Sequence, residues 1–230
     1  MTQLTLVIGN KLYSSWSLRA WLVMKAFGIA FEEIVIPLYR RDSKVRLLEQ
    51  SPSGKVPLLI DGDLRVWESL AIIEYLAEKH PAAQIWPAAA KARAHARAIS
   101  AEMHAGFIAL RNACPMNLGK CFATKDRGDA VAVDVARVAE IFSSTRERFG
   151  AGGRFLYGAF SAADAMYAPI ATRLQTYSIV VDSTSQAYIE AVMRHPALQE
   201  WCAAAQQETW VIAASEADEP AIEVYRNVGA

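Results

Sequence analysis

Apolar and polar positions follow two different rhythms along this chain of 230 residues. Over the first eighty, short strand-like runs interleave with helical spacing. Thr5-Leu6-Val7-Ile8 is short, apolar and β-branched, and Gly9-Asn10 ends it. Residues 15–27 place Leu18, Trp21 and Leu22 at helical spacing with Arg19 on another face, and Gly28 supplies the stop expected after a helix. Residues 31–37 predict a second strand and 43–50 a short helix, followed by the loop Pro52-Ser53-Gly54. Pro57-Leu58-Leu59-Ile60 and Leu64-Arg65-Val66-Trp67 read as strands joined by the turn Asp61-Gly62-Asp63. Ser69 is then expected to cap a helix reaching Lys79, with Ile72, Ile73, Tyr75 and Leu76 turned to the core.

The predicted order is β-α-β-α-β-β-α. A parallel crossover followed by an antiparallel hairpin gives a mixed four-stranded sheet with three helices, a thioredoxin-like layout. After His80 the rhythm changes. Pro81 and Pro87 bracket a linker over 81–88, and from there Ala, Glu, Arg and Leu dominate, which favours helix. Helices are predicted at about 89–117, 128–149, 162–178, 184–194 and 197–209. Residues 210–230, with Pro220, fit no element and are expected to wrap partly over the surface. The expected architecture is an α/β thioredoxin-like domain over 1–80, a linker over 81–88 and an all-helical domain over 89–230. Ser161 and Asp164, with Phe160 ahead of them, form a capping box that starts one of the later helices. That role is structural.

Composition removes several function classes. Lys and Arg number 24, as do Asp and Glu, so the net charge is zero and sequence-independent nucleic-acid binding has no electrostatic support. No apolar run is long enough for a membrane span, and no secretory pattern opens the chain. Cys114, Cys121 and Cys202 are too few for a disulfide framework and contain no Cys-x-x-Cys, and the scattered histidines suggest no metal site. The expectation is a cytoplasmic protein without a metal, a membrane or a nucleic-acid partner.

Three segments carry a resemblance: Ser14-Ser15-Trp16-Ser17 after the first strand, Ser53-Gly54-Lys55-Val56-Pro57 leading to Trp67-Glu68-Ser69, and the Ser161–Asp164 box. Together they resemble the cytosolic glutathione transferases, over nearly the whole chain. The serine pair is most similar to the zeta class and related bacterial serine-type enzymes. Zeta proteins carry Ser-Ser-Cys-Ser there, and this chain has Trp16 in place of the cysteine. The resemblance implies glutathione as cosubstrate, a small electrophile as second substrate, and a homodimer. A glutathione-dependent isomerase of the maleylacetoacetate type and a non-catalytic glutathione-binding scaffold are the alternatives.

The chemistry assigns roles by residue type. A thiol like that of glutathione ionises near pH 8.5, and the thiolate is the nucleophile. A serine hydroxyl is no base at neutral pH, but it donates a hydrogen bond to the sulfur anion. Ser14 is expected as the main donor and Ser15 behind it, at a helix start whose dipole also favours an anion. The resemblance implies a cis Val56-Pro57 step, with the Val56 main chain pairing the cysteinyl backbone of glutathione. Glu68 and Ser69 match the ammonium and carboxylate of its γ-glutamyl end, and Lys55, Lys44 and Arg40 are candidates for its glycyl carboxylate. For the electrophile, Arg19, Met103, His104, Phe107, Arg111, Met116 and Tyr167 are candidates, several of them at helical spacing.

Overall fold

A computed structural model describes residues 3–226. Met1, Thr2 and 227–230, the outer ends of the predicted segments 1–80 and 89–230, lie outside the described residues. Strand β1 (Leu4–Ile8) is central in the first sheet. It runs parallel to β2 (Glu32–Val35) and antiparallel to β3 (Leu58–Asp61), which pairs with β4 (Leu64–Trp67) in the order β2-β1-β3-β4. The register sets Val7 opposite Ile34 on one side and Leu58 on the other.

The two faces of this sheet separate by alternation. Val7 and Leu58 point to one side and pack with Ile36 and with Leu47 of helix α2 (Ser43–Gln50). Leu4, Leu6, Ile8 and Leu59 point to the other side and join α1 (Ser15–Ala26) and α3 (Ser69–Lys79). A strand covered on both faces is apolar almost continuously, as β1 is. This is the thioredoxin-like domain expected from the pattern.

The second domain is helical: α4 (Ala90–Ala105), α5 (Ile108–Ala113), α6 (Asp129–Phe149), α7 (Ala162–Thr176), α8 (Ser183–Met193) and α9 (Pro196–Gln206). Helix α7 is buried along nearly its whole length and packs against α4, α8 and the first domain's α1. Apolar residues of both domains therefore form one continuous core. At the start of α7 the Asp164 carboxylate accepts from the main-chain N–H of Ser161 at 2.8 Å and of Leu156 at 3.0 Å, and from Ser161 Oγ at 2.9 Å. The capping box has the structural role read from the sequence.

Three expectations need correction. The helix expected over 89–117 is broken: Gly106 is extended and Phe107 takes a positive φ of 57°, so α4 and α5 are separate. A side chain at Gly106 would meet the Glu102 carbonyl oxygen at 2.7 Å, which is why glycine stands there. Beside the helices lies a two-stranded antiparallel ribbon of β5 (Lys120–Phe122) and β6 (Ala221–Val224). The segment after residue 209 is thus tied into the fold by a strand. Ser69 does not cap α3; Glu68 holds that position with a φ of 72°, and Ser69 is the first helical residue.

Candidate functional site

A cavity of about 510 Å³ opens on the first domain where β1 and β3 meet the helix starts. Its lining includes Ser14, Arg40, Lys44, Lys55, Val56 and Glu68, which come from separate stretches of the chain, together with Trp16 and Tyr39. Ser15 and Ser69 do not line it.

Ser14 closes the turn between β1 and α1. Its N–H donates to the Asn10 carbonyl at 2.8 Å, and its Oγ accepts from Ser17 N–H at 3.3 Å as the cap of α1. Ser14 Oγ also donates to Ser17 Oγ at 2.8 Å, and Ser17 Oγ accepts from Gly9 N–H at 3.0 Å. The Ser14 hydroxyl is therefore held at the cavity wall with its proton on a neutral acceptor. Capping and facing the cavity are one position, because the first helical amides and the open end of the sheet coincide there.

Val56, also in the lining, enters a cis step to Pro57 as expected. The ladders of β3 begin at Leu58, so Val56 stands outside the sheet pairing. Glu68 follows β4 in a backbone conformation rare for a non-glycine residue and projects into the cavity. Ser69 is fully buried behind it, and its Oγ makes no hydrogen bond among the described residues. Arg40, Lys44 and Lys55 are exposed at the rim. Three cations converging on one mouth suit an anionic group better than a neutral one.

Trp16 joins the cavity to a buried cationic group. Arg19 and Arg111 both lie over its indole ring, with guanidinium carbons 4.3 Å and 5.0 Å from the centroid, and His104 meets it edge-on. Arg19 is fully buried, and none of its three guanidinium nitrogens has a hydrogen-bond partner among the described residues. Burial, then the nearby Arg111 and Arg173, push its pKa down, while Glu68 opposes them. His104 Nε2 stands 3.7 Å from the Glu68 carboxylate. Burial, then Arg19, push the His104 pKa below its ordinary value, with Glu68 raising it and Arg111 lowering it again.

The remaining electrophile candidates are core residues. Met103, Phe107, Met116 and Tyr167 are buried. The Tyr167 hydroxyl donates to the Ile99 carbonyl at 3.0 Å, and Phe107 lies against the Tyr167 ring. Helical spacing does not separate the face toward a cleft from the face toward a core, and here the core holds them. Of the original set, Arg19, His104 and Arg111 remain near the site, through Trp16.

A thioredoxin-like sheet with a serine at its first helix start, joined through a shared core to a helical bundle, defines a two-domain protein with a small-molecule cleft on its first domain. The family model described as "Glutathione S-transferase, N-terminal domain" matches residues 13–79, and "Glutathione S-transferase, C-terminal domain" matches residues 126–204. The chain belongs to the glutathione S-transferase family. It is 40% identical over 99 residues to a probable maleylacetoacetate isomerase of Caenorhabditis elegans, covering 43% of this chain and 45% of that protein. The chain thus spans less than half the length of that relative. It is 26% identical over 178 residues to a stringent starvation protein A homolog of Pasteurella multocida, covering 75% of this chain and 76% of that one. A glutathione transferase homolog from Burkholderia, solved with bound glutathione, superposes with a TM-score of 0.66 at 24% identity over 89% of this chain and 98% of that one; it shares the fold. Among the described residues no helix is long and apolar enough to cross a membrane, and no cluster of three or more His, Cys, Asp or Glu is placed to hold a metal.

Proposed function

We propose that the protein is a glutathione transferase in which the Ser14 hydroxyl stabilises the glutathione thiolate for attack on a small electrophile. The observation that carries this reading is the convergence on one cavity of Ser14, Val56, Glu68 and the rim cations Arg40, Lys44 and Lys55. Each matches a different part of one molecule. The Val56 main chain pairs the cysteinyl backbone as an added strand would. The Glu68 carboxylate takes the γ-glutamyl ammonium, and the first amides of α3 take the adjoining carboxylate, with the Ser69 hydroxyl buried behind them. The rim cations take the glycyl carboxylate. The thiol then lies toward Ser14. Its proton leaves to solvent, Ser14 turns its own proton from Ser17 to the sulfur, and the thiolate forms a thioether with the electrophile, either expelling a leaving group such as halide or adding to an activated double bond whose far carbon then takes a proton from solvent. Ser15 ranks second because it lies outside the cavity lining.

In the same reading residues 1–80 are the glutathione domain, 81–88 the linker and 89–230 the electrophile side. The protein works as a cytoplasmic homodimer, the first domain of one chain against the helices of its partner. The relative named a probable maleylacetoacetate isomerase supports a second reading, in which the thioether is transient and glutathione returns unchanged. Trp16 in place of the zeta-class cysteine weighs against that one.

The test is titration with glutathione while the absorbance of the bound thiolate is followed against pH. A bound thiol pKa well below about 8.5 supports both binding and activation. Binding with an unshifted thiol favours a non-catalytic glutathione-binding protein, and no binding at millimolar glutathione overturns both.

A further inference from the structure

The turn that presents Ser14 is held by the far end of the chain. Glu208, two residues beyond α9, accepts the main-chain N–H of Lys11 on Oε1 at 2.7 Å and that of Leu12 on Oε2 at 3.1 Å. The Trp201 indole N–H donates to the Lys11 carbonyl at 2.9 Å, and Leu118 N–H donates to the Leu12 carbonyl at 3.2 Å. The Tyr13 hydroxyl donates to Glu216 at 2.5 Å, which also pairs with Lys120 at 2.7 Å. Arg226 completes the clasp. It donates to the carbonyls of Glu208 and Trp210 at 2.8 Å each and to the Tyr13 hydroxyl at 3.3 Å. Its own N–H reaches the Gly119 carbonyl, beside β5. Gly119 sits at this crossing, where a side chain would meet Arg226 and Leu12 at 3.2 Å.

From this arrangement we infer that Glu208 is a positioning residue for the thiol-activating serine, and that residues 208–226 form a clasp fixing the turn that carries it. The inference rests on the proposed role of Ser14 but adds a residue that the family models do not reach, since the C-terminal match ends at residue 204. Two consecutive amides on one carboxylate fix the turn in both translation and tilt, because each oxygen takes one N–H. A hydrogen bond to sulfur weakens steeply once its angle or length drifts, so loosening the turn acts on the thiolate before it acts on binding. The groups assigned to the rest of glutathione lie on other segments and do not depend on the clasp.

The test uses the full chain with Glu208→Ala and Glu208→Gln, glutathione, and chlorodinitrobenzene as the probe electrophile. Glutamine is isosteric but offers one acceptor oxygen and sets an NH2 against the second amide. Amide exchange at Lys11 and Leu12 should quicken in both variants. The bound thiol pKa should rise by about half to one unit, which cuts the thiolate fraction, and with it kcat, about three- to tenfold below that pKa. KM for glutathione should stay within about twofold, since uniform binding is untouched. If Glu208→Ala does not fold, Glu208→Gln and Tyr13→Phe carry the same readouts. Folded variants with wild-type exchange at 11–12 and a wild-type thiol pKa would overturn the clasp. If the wild type binds no glutathione, the transferase reading falls; unchanged exchange then rejects the clasp as well, while faster exchange keeps the clasp and removes only its catalytic purpose.

Discussion

Replacing Ser14 with alanine separates thiolate donation from helix capping. A hydrogen bond to a charged group contributes about 1.5–3 kcal/mol and a neutral one about 0.5–1.5. In the free protein the Ser14 proton rests on Ser17 Oγ at 2.8 Å, so donation to sulfur gives up that neutral bond. The net gain is about 1–1.5 kcal/mol, or about one pKa unit, smaller than for a serine whose proton is free. Ser14→Ala should therefore raise the bound thiol pKa by about one unit and lower kcat at pH 6.5 about tenfold. It should leave glutathione affinity within about twofold, because the recognition groups lie elsewhere. The lost cap should lower stability by about 1 kcal/mol, seen in urea unfolding and independent of glutathione. Ser15→Ala should do neither, since Ser15 lies outside the cavity lining. Thiol spectroscopy of both variants decides. An unmoved thiol pKa in Ser14→Ala, or a larger rise in Ser15→Ala, refutes the assignment.

Three further outcomes follow from the same geometry. Glu68→Gln should raise KM for glutathione about tenfold with the bound thiol pKa unmoved, the converse of Ser14→Ala, because it removes a charge from the ammonium and not from the sulfur. Arg19→Met should stabilise the fold by about 1–2 kcal/mol in chemical unfolding, since a buried charge without hydrogen bonds among the described residues costs more than its contact with Trp16 returns; destabilisation of similar size would mean that the guanidinium is satisfied. Burial holds His95, His104 and His195 below their ordinary pKa of 6.5 in the fold. The unfolded chain takes up those protons first, so this part of the stability is complete above about pH 6.5 and is lost as pH falls below it. The raised carboxyl of Asp164 acts with the opposite sign over the same range, so the readout is a difference: between about pH 7 and 5 the His104→Gln denaturant midpoint should fall less, or rise more, than that of the wild type.

The local part of the fold was legible because it is written in adjacent residues. Short apolar runs bounded by turn residues marked the strands, the Asp61-Gly62-Asp63 turn marked the hairpin, and Ser161 with Asp164 marked the start of α7. The cavity residues were legible for a different reason: Ser14, Val56 and Glu68 stand in the motifs that carry the resemblance to the glutathione transferases. What failed were judgements of facing. Met103 and Phe107 have the spacing of a cleft wall, yet one-dimensional periodicity does not say which neighbour an apolar face meets. Arg19 carries the sharpest such lesson. It stands among the electrophile candidates, yet the packing of α1 against α7, α3 and α9 leaves it fully buried and outside the cavity lining.

The break at Gly106 is local, a glycine packed on the Glu102 carbonyl, whereas the clasp is set by contacts between segments distant in sequence and leaves no local pattern. Lys11 and Glu208 are 197 residues apart, and no spacing rule links a glutamate after one helix to two amides after the first strand. The physical demand was nonetheless present in the sequence. A turn running from a buried strand into a buried helix has main-chain donors that must find acceptors. Asn10 serves Tyr13 and Ser14, and Ser17 serves Gly9. Lys11 and Leu12 are among the donors that need an acceptor from elsewhere. Counting those donors predicts that such an acceptor exists; only the fold says that it is Glu208. The serine that faces the cavity in the first domain is thus oriented by the last segment of the second, which ties the chemistry of the site to the docking of the two domains.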